Sequence, residues 1–451
     1  MIAATDHSQS DVSHFCARVA GHDMTVGILG LGYVGLPLAL AALKSGFKVI
    51  GFDIDTRKAA EISRGECEIR HIDTSAIREA LARGTFRATS DFDALGTPDA
   101  ILIAVPTPLN RNREPDLTFV ENSTREIAKR LRRGQLIVLE STTWPGTTAQ
   151  IMQPILEAGG LVCGEDFFLA YSPEREDPGN PHYGTASIPK VVGADDTASL
   201  TVADALYQAL VARTVPVSSA ATAEAVKLTE NIFRAVNIAL VNELKVIFER
   251  MNVDVWEVIE AAKTKPFGYM PFYPGPGLGG PCIPIDPFYL TWKAREHDVT
   301  TRFIELAGEI NTAMPHYVVE RLAEALDRRS GRGLSGAHIL VIGLAYKKNV
   351  EDPRESPSLK LMELIERRGA RVDYHDPFIA AIPTTRAHPD LGGRQSQPLT
   401  PQAVAGYDAV LIATDHDDID WSALVANARL IIDTRNVCER NGIKAAHLVK
   451  A

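Results

Sequence analysis

Cys282 stands in the run Gly-Pro-Gly-Leu-Gly-Gly-Pro-Cys-Ile-Pro-Ile-Asp-Pro, residues 275–287, and about 250 positions upstream the same chain has a glycine-rich turn at Gly30. A turn of that kind binds a dinucleotide. A nicotinamide site by itself oxidises alcohols; with a dedicated thiol it can carry the oxidation on to the acid. The glycines and prolines around Cys282 forbid helix and keep the backbone close to whatever binds there, whereas a cysteine kept for packing more often sits on an apolar element. Asp286, four residues on, could orient the thiol or a proton-accepting water, the alternative being an aspartate that caps a turn. Lys227 and Asn231 are one helical turn apart and share a face. An ammonium and a carboxamide aimed at one point stabilise an oxyanion; a solvated polar stripe is the competing explanation.

The glycine-rich turn is read from Thr25-Val-Gly-Ile-Leu-Gly-Leu-Gly-Tyr-Val-Gly-Leu-Pro. An apolar run delivers Gly30, Leu31, Gly32, Tyr33, Val34 and Gly35 in GxGxxG spacing, and a helical pattern follows to about Ser45. The glycines allow a tight turn, close approach of a pyrophosphate and close helix–strand packing, with the phosphates on the helix N-terminus. A second apolar run, Lys48-Val-Ile-Gly-Phe, leads into Asp53, eighteen positions beyond Gly35. A carboxylate there accepts hydrogen bonds from the adenosine ribose and repels a 2′-phosphate, so NAD is the expected cofactor, with Lys58 close enough to soften the preference.

The elements that must position these residues alternate between strand-like and helical runs from Met24 to about Ser219, which predicts a doubly wound parallel sheet. The strand-like runs Ala100–Val105 and Leu136–Glu140 stop at Val105-Pro-Thr-Pro and Glu140-Ser-Thr-Thr-Trp-Pro-Gly, while Phe167–Tyr171 forms a further strand. Val105, Pro106, Thr107, Ser141 and Thr142 therefore fall at carboxyl ends of strands, where open α/β sheets bind ligands. From Thr222 to about Met251 the residues Leu228, Ile232, Val236, Leu240, Leu244 and Phe248 recur every four positions. A helix of about 30 residues, roughly 45 Å long, exceeds what one domain needs and is expected to cross between two. After a linker-like Ser330–Ser335, the runs His338–Lys347, Ala370–Pro377, Ala409–His416 and Leu430–Arg435 outline a second α/β unit. It has Gly343 alone where the first has three glycines, so a second NAD is not expected. Lys347, Lys348, Arg354 and Arg435 at its strand ends suit a different phosphate ligand.

At 451 residues and 45% hydrophobic the chain can bury two or three cores. A net charge of −10 and a pI near 5.7 argue against nucleic-acid or membrane-surface partners. Residues 1–23 lack an apolar stretch behind a basic start and read as a disordered tail, not a signal peptide. Nothing approaches the roughly 20 apolar residues that span a bilayer. The five cysteines, Cys16, Cys67, Cys163, Cys282 and Cys438, are odd in number and scattered, which fits reduced thiols in the cytoplasm; there is no CxxC metal pattern and no metal is expected.

GLGYVGLP, VPTP, ESTTWPGTT, YSPERE, EAVKLTENIFRAVNIALVNEL, PGPGLGGPCIPIDP and GLAYKKNVEDPRESP occur in this order, and through them the chain resembles the UDP-glucose/GDP-mannose dehydrogenase family from Met24 to about Cys438. The resemblance implies two successive oxidations at C6 of a nucleotide sugar, with two NAD molecules and without release of the aldehyde. Cys282 would form a thiohemiacetal and then a thioester that water hydrolyses. Lys227 and Asn231 would hold the C6 oxygen, Asp286 would manage the proton, and Thr142 and Glu174 would position the water. Gly30 to Gly35, Asp53, Lys58, Val105 to Thr107, Ser141 and Thr142 would contact NAD, with Arg354 closing over it. Glu174, Arg175, Lys227, Asn231, Tyr273, Gly275, Gly277, Gly279, Tyr346, Lys347 and Arg435 would contact the nucleotide sugar. Glu176 is left unassigned, because Glu174-Arg-Glu-Asp-Pro-Gly is spaced differently from the corresponding loop of UDP-glucose dehydrogenases.

The forms PFGYMPFYPGPGLGG, CIPIDPFYL and TRFIELAGEIN are similar to the branch acting on UDP-N-acetylhexosamines, with UDP-N-acetylglucosamine first and its manno and galacto epimers and UDP-glucose behind. Pro281 departs from the histidine common before the cysteine in that branch. The resulting expectation is an α/β chain of two Rossmann-like doubly wound parallel-sheet domains joined by a long central helix and a helical dimerisation domain. Its parts are a flexible tail 1–23, an NAD-binding domain 24–219, a central domain 220–329 with Cys282, and a UDP-sugar domain 334–451. Homodimerisation would use the apolar face left on the long helix, and the product would feed a cell-surface polysaccharide such as capsule or lipopolysaccharide O-antigen. Two readings compete. A single-step dehydrogenase, such as a 3-hydroxyacid enzyme, shares the first module but needs no thiol and forms one NADH per substrate. A non-catalytic nucleotide-sugar sensor would not require Cys282, Lys227, Asn231 and Asp286 together.

Overall fold

The computed structural model describes residues 2–69, 72–110, 114–176, 184, 186–280, 282–385 and 387–451. The chain divides into two units, residues 1–230 with 288–299 and residues 231–287 with 300–451. In the first, strands β1 Thr25–Leu29, β2 Lys48–Phe52, β3 Phe86–Thr89, β4 Ala100–Ile103, β5 Leu136–Leu139, β6 Phe168–Tyr171, β7 Lys190–Gly193 and β8 Thr214–Val217 form one sheet. Their order is β3-β2-β1-β4-β5-β6-β7-β8. The chain reverses direction across the sheet between β1 and β4, which opens a crevice at the carboxyl ends of those strands. β4, β5 and β6 are buried on both faces, which is why they read as unbroken apolar runs. The pairing is parallel except between β6 and β7, an antiparallel step that alternation of strand and helix did not predict.

The stretch expected to be a disordered tail is instead a helix, Ile2–Ala20. Phe15 and Val19 are buried in the first unit's core, and Arg18 donates to both oxygens of Asp99, at 2.7 and 2.9 Å. The signal passed over was a pair of apolar residues four apart followed by an arginine whose acid partner lies far along the chain.

The second unit holds β9 His338–Ile342, β10 Arg371–His375, β11 Ala409–Ile412, β12 Ile431–Asp433 and β13 Leu448–Lys450 in a parallel sheet of order β10-β9-β11-β12-β13. Its switch point lies between β9 and β11, above Gly343. Helix Arg302–Ser330 ends on Gly331 in the left-handed conformation, φ 61°.

The long helix expected from Thr222 to about Met251 runs from Ala220 to Arg250. Its four-residue apolar series does not form one buried face: Leu228 is buried, yet Leu240 is 49% exposed. At about 100° per residue, steps of four advance by roughly 40° and wind the series around the helix. The buried positions of the helix include Leu228 and Val241 but also Glu224, Asn231, Asn242 and Lys245, with Ala235 and Ala239 between. No helix among the described residues is long and apolar enough to cross a membrane.

Candidate active site

In the first unit the glycine-rich turn follows β1. A Cβ added at Gly30, φ +95°, would lie 2.6 Å from Ala104 O, and one at Gly35 would lie 1.8 Å from Gly30 O, so neither position accepts a side chain. A Cβ at Gly32 would meet nothing within 4 Å, which leaves open space over the turn. Helix Gly35–Lys44 has no side-chain cap at Val34, so the positive end of its dipole faces the turn without a side-chain oxygen on it. Leu31 and Tyr33 lie within this turn. These features fit the pyrophosphate of NAD. Asp53, at the end of β2, accepts Leu31 N at 3.0 Å and Lys58 Nζ at 3.2 Å through one oxygen and Asp55 N at 3.0 Å through the other. The acid that would read the ribose is thus fixed in place by the turn itself, and Lys58 sits on it.

The ends of β4 and β5 are tied together where Ser141 Oγ donates to Val105 O at 2.7 Å, with Thr142 buried beside it. Pro106 and Thr107 follow, and Thr107 O accepts Tyr289 Oη at 2.9 Å. Tyr289 and Trp292 pack on Trp144, with ring centroids 6.1 and 4.7 Å away, a support for the strand ends that the sequence reading did not include.

Glu174 belongs to a buried polar cluster that was not foreseen from sequence. Lys190 Nζ donates to Glu174 at 2.9 Å and to Glu140 at 2.6 Å, and the Tyr207 hydroxyl donates to the other oxygen of Glu140. The second oxygen of Glu174 accepts Arg175 N and Glu176 N, both at 2.8 Å. Burial pushes the Glu174 carboxyl up, but Lys190, the Glu176 N–H and the field of Lys227 outweigh it and hold the group below the ordinary carboxylate range. Glu140, fully enclosed, is pushed up by burial. For Lys190 burial opposes the charge and the two carboxylates outweigh it, so the ammonium is held. A lysine opening the apolar Lys190-Val-Val-Gly strand, and a glutamate closing the apolar run of β5, were the available signals. Arg175, expected on the substrate, has its guanidinium on Glu230 at 2.5 and 3.2 Å and on Pro189 O at 2.8 Å. The rest of that loop, Asp177 to Gly179, lies outside the described residues.

In the second unit Cys282, Asp286 and Asn231 come together. Cys282 O accepts Ile285 N at 3.0 Å and Asp286 N at 2.8 Å, so Cys282 heads the turn that leads into helix Asp286–Arg295. The positive end of a helix favours a thiolate over a thiol. Asp286 is buried and opens that helix, accepting Asn231 Nδ2 at 2.5 Å. Arg234 donates to Asn231 Oδ1 at 2.6 Å, which fixes the orientation of the amide. Lys227 precedes Asn231 by one turn of the same helix. Pro281 lies outside the described residues.

The glycine loop before Cys282 packs against the second sheet. A Cβ at Gly275 would lie 2.6 Å from Arg435 Nη1, and one at Gly279 would lie 2.7 Å from Tyr346 Cβ. Gly279 is therefore brought to Tyr346, with Lys347 next to it, and Gly275 to Arg435, while Gly277 lies against Pro315 and Pro357. Gly275 N donates to Asn242 Oδ1 at 3.0 Å, and Asn242 donates to Asn311 at 2.9 Å, a buried amide pair not foreseen from sequence. Arg435 Nε donates to Ala413 O at 2.8 Å, burial lowers its pKa, and no carboxylate forms an ion pair with it among the described residues. It is suited to an external anion. Lys348 is instead paired with Asp417 at 3.1 Å, and the exposed Arg354 with Asp352 at 2.6 Å. Tyr273 bonds Glu260 at 2.8 Å and stacks on Trp256.

A parallel sheet with a glycine turn after β1 and an acid closing β2 fits an NAD-dependent dehydrogenase. The chain belongs to the UDP-glucose/GDP-mannose dehydrogenase family, matching its NAD binding domain over residues 24–211, its central domain over 221–313 and its UDP binding domain over 340–440. It is 35% identical to the UDP-N-acetyl-D-mannosamine dehydrogenase of Pyrococcus horikoshii over 420 residues, 92% of this chain and 96% of that one. It is also 35% identical to the UDP-N-acetyl-D-glucosamine 6-dehydrogenase of Pseudomonas aeruginosa over 398 residues, 88% of this chain and 91% of the other. The solved structure of the Pyrococcus horikoshii UDP-D-ManNAc dehydrogenase superposes with a TM-score of 0.84 at 34% identity, covering 95% of this chain and 98% of that one. The protein is an oxidoreductase, an NAD-dependent UDP-sugar dehydrogenase.

Proposed function

We propose that the substrate is a UDP-N-acetylhexosamine, UDP-N-acetylglucosamine before its manno and galacto epimers, oxidised at C6 to the uronic acid through a thioester on Cys282. NAD supplies the hydride acceptor for both oxidations. The residues of the chain do the rest. Lys227 and Asn231 stabilise the C6 oxygen as it loses its proton, and Asp286, bonded to Asn231, takes that proton. The Cys282 thiolate adds to the aldehyde carbon to give a thiohemiacetal. Loss of a hydride and of the hydroxyl proton makes this the thioester, and water then adds and expels the thiolate. Thr142 and Glu174 orient that water. Because Glu174 already accepts three hydrogen bonds and is held ionised, it serves as an acceptor that aims the water and not as the base. Gly275, Gly277, Gly279, Tyr346, Lys347 and Arg435 hold the nucleotide part.

The observation that carries this reading is the contact of Asn231 with Asp286 one helical turn beyond Cys282. The preference among epimers rests on the forms around residues 266–290 and 301–311, with identity to the mannosamine and glucosamine enzymes equal at 35%. A second copy of the chain would cover the apolar stripe of Phe233, Leu240 and Ile247, which seven-residue spacing keeps on one side of the long helix. The scattered free cysteines fit a cytoplasmic enzyme supplying a cell-surface polysaccharide pathway. The test is NADH formed per nucleotide sugar consumed, across the three acetylated sugars and UDP-glucose, with Cys282→Ala alongside. Two NADH per molecule of one acetylated sugar, lost in the variant, is the expected result. One NADH per sugar, or a variant that completes both oxidations, overturns the reading.

A further inference from the structure

The second unit carries a buried acid–imidazole pair that the proposed chemistry leaves unused. Asp376 follows β10 and His416 follows β11, with exposures of 3% and 0%. Asp376 Oδ2 contacts His416 Nε2 at 3.0 Å and also accepts Leu344 N at 2.6 Å and Ala345 N at 2.9 Å. Asp376 Oδ1 accepts Phe378 N at 2.8 Å and Ile379 N at 3.0 Å. On the other side of the ring, His416 Nδ1 accepts the backbone N–H of Asn349 at 3.0 Å. A backbone amide only donates, so Nδ1 carries no proton, and the ring proton sits on Nε2 facing Asp376. The left-handed backbone of Asn349, φ 60°, turns its N–H to the ring, and Thr414 Oγ1 donates to Ala345 O at 2.6 Å.

Leu344 to Asn349 is the segment that carries Tyr346 and Lys347, and three of its N–H groups end on this pair, two at one end and one at the other. The Tyr346 ring in turn lies against the glycine loop, 2.8 Å from where a Cβ of Gly280 would stand. We propose that His416, as the neutral Nε2–H tautomer, is a positioning residue for the nucleotide: with Asp376 it clamps both ends of Leu344–Asn349 and presents Tyr346 and Lys347 to a nucleoside diphosphate. This rests on the reading of that segment as a nucleotide contact given above.

The test is calorimetric titration of the full chain with UDP, without NAD. His416→Ala is expected to weaken UDP binding about 10-fold, the size of one lost buried hydrogen bond, while NAD affinity stays unchanged. His416→Gln offers an acceptor and a donor, so it restores most of the affinity. Amide exchange at 344–349 is faster in the alanine variant. Unchanged UDP affinity in that variant, or a glutamine variant that binds UDP no better than the alanine one, overturns the proposal. If the alanine variant does not fold, His416→Leu, which fills the space but bonds neither Asp376 nor the Asn349 N–H, takes its place with the same expected loss. His416-dependent UDP binding in an enzyme that makes no NADH from any sugar would sink the proposed function and keep the clamp; normal turnover with UDP affinity indifferent to His416 would do the reverse.

Discussion

Replacing Lys190 by Met removes the ammonium shared by Glu140 and Glu174 while keeping the apolar length of the side chain. Both carboxylates and the lysine are nearly inaccessible, with side-chain exposures of 0, 7 and 4%. Removing one partner of a buried ion pair costs about 3–5 kcal/mol, because the other charge is left without compensation. For a unit of this size that is a fall in Tm of roughly 6–20 °C. The pH dependence gives a sharper check. In the native chain Glu174 lies below the ordinary carboxylate range, so its contribution is present at neutral pH and is lost as pH falls through that lowered value. Without Lys190, burial dominates at both carboxylates and raises them. Groups so raised contribute stability when protonated and lose it as pH rises. In the native chain only Glu140 is raised, whereas in the variant both carboxylates are, so the variant gains more stability on acidification and the gap between the two narrows from about pH 8 toward about pH 5.5. Thermal unfolding followed by circular dichroism at both pH values measures it. A variant within about 2 °C of the native Tm, or a gap of the same size at both pH values, would refute the idea that Lys190 compensates two buried charges.

Asp53→Ser removes the carboxylate that would repel a 2′-phosphate and leaves Lys58 without its acid partner; kcat/KM with NADP should rise relative to NAD by about 10-fold or more, and an unchanged cofactor ratio would show that Asp53 does not read the ribose. Arg18→Ala should destabilise the first unit by about 1–2 kcal/mol in denaturant unfolding, since Asp99 keeps Arg132 at 2.7 Å but loses a bidentate partner. No change there would mean that the N-terminal helix is not docked through Arg18.

Much of the site was legible because its signals are local. Gly30 to Gly35 followed by Asp53 is a pattern in which each residue type answers to a backbone or charge requirement within one β-α-β stretch. Cys282 and Asp286 are separated by one helical turn, as are Lys227 and Asn231. The cluster around Glu174 was not legible, since Glu140, Lys190 and Tyr207 lie up to 67 positions apart and a lone lysine or glutamate in an apolar run carries no partner in its own neighbourhood. The same holds for Asn242 and Asn311, 69 positions apart, and for Arg175, whose commitment to Glu230 depends on a long helix arriving beside it. His416 and Asp376 sat at the ends of strands the sequence did outline, but a clamp on Leu344–Asn349 exists only once β9, β10 and β11 are paired.

By itself the sequence determined the two sheets, the long helix and the cofactor, because apolar periodicity, glycine spacing and turn residues act over a few positions of chain. Tertiary structure alone decided which charges are compensated. It docked Ile2–Ala20 as a helix, set β7 antiparallel to β6, turned Arg175 onto Glu230 and placed Lys190 between two carboxylates. Those outcomes depend on burial and on pairing across long separations, where the cost of an unpaired charge, not the identity of its neighbours in the chain, selects the partner.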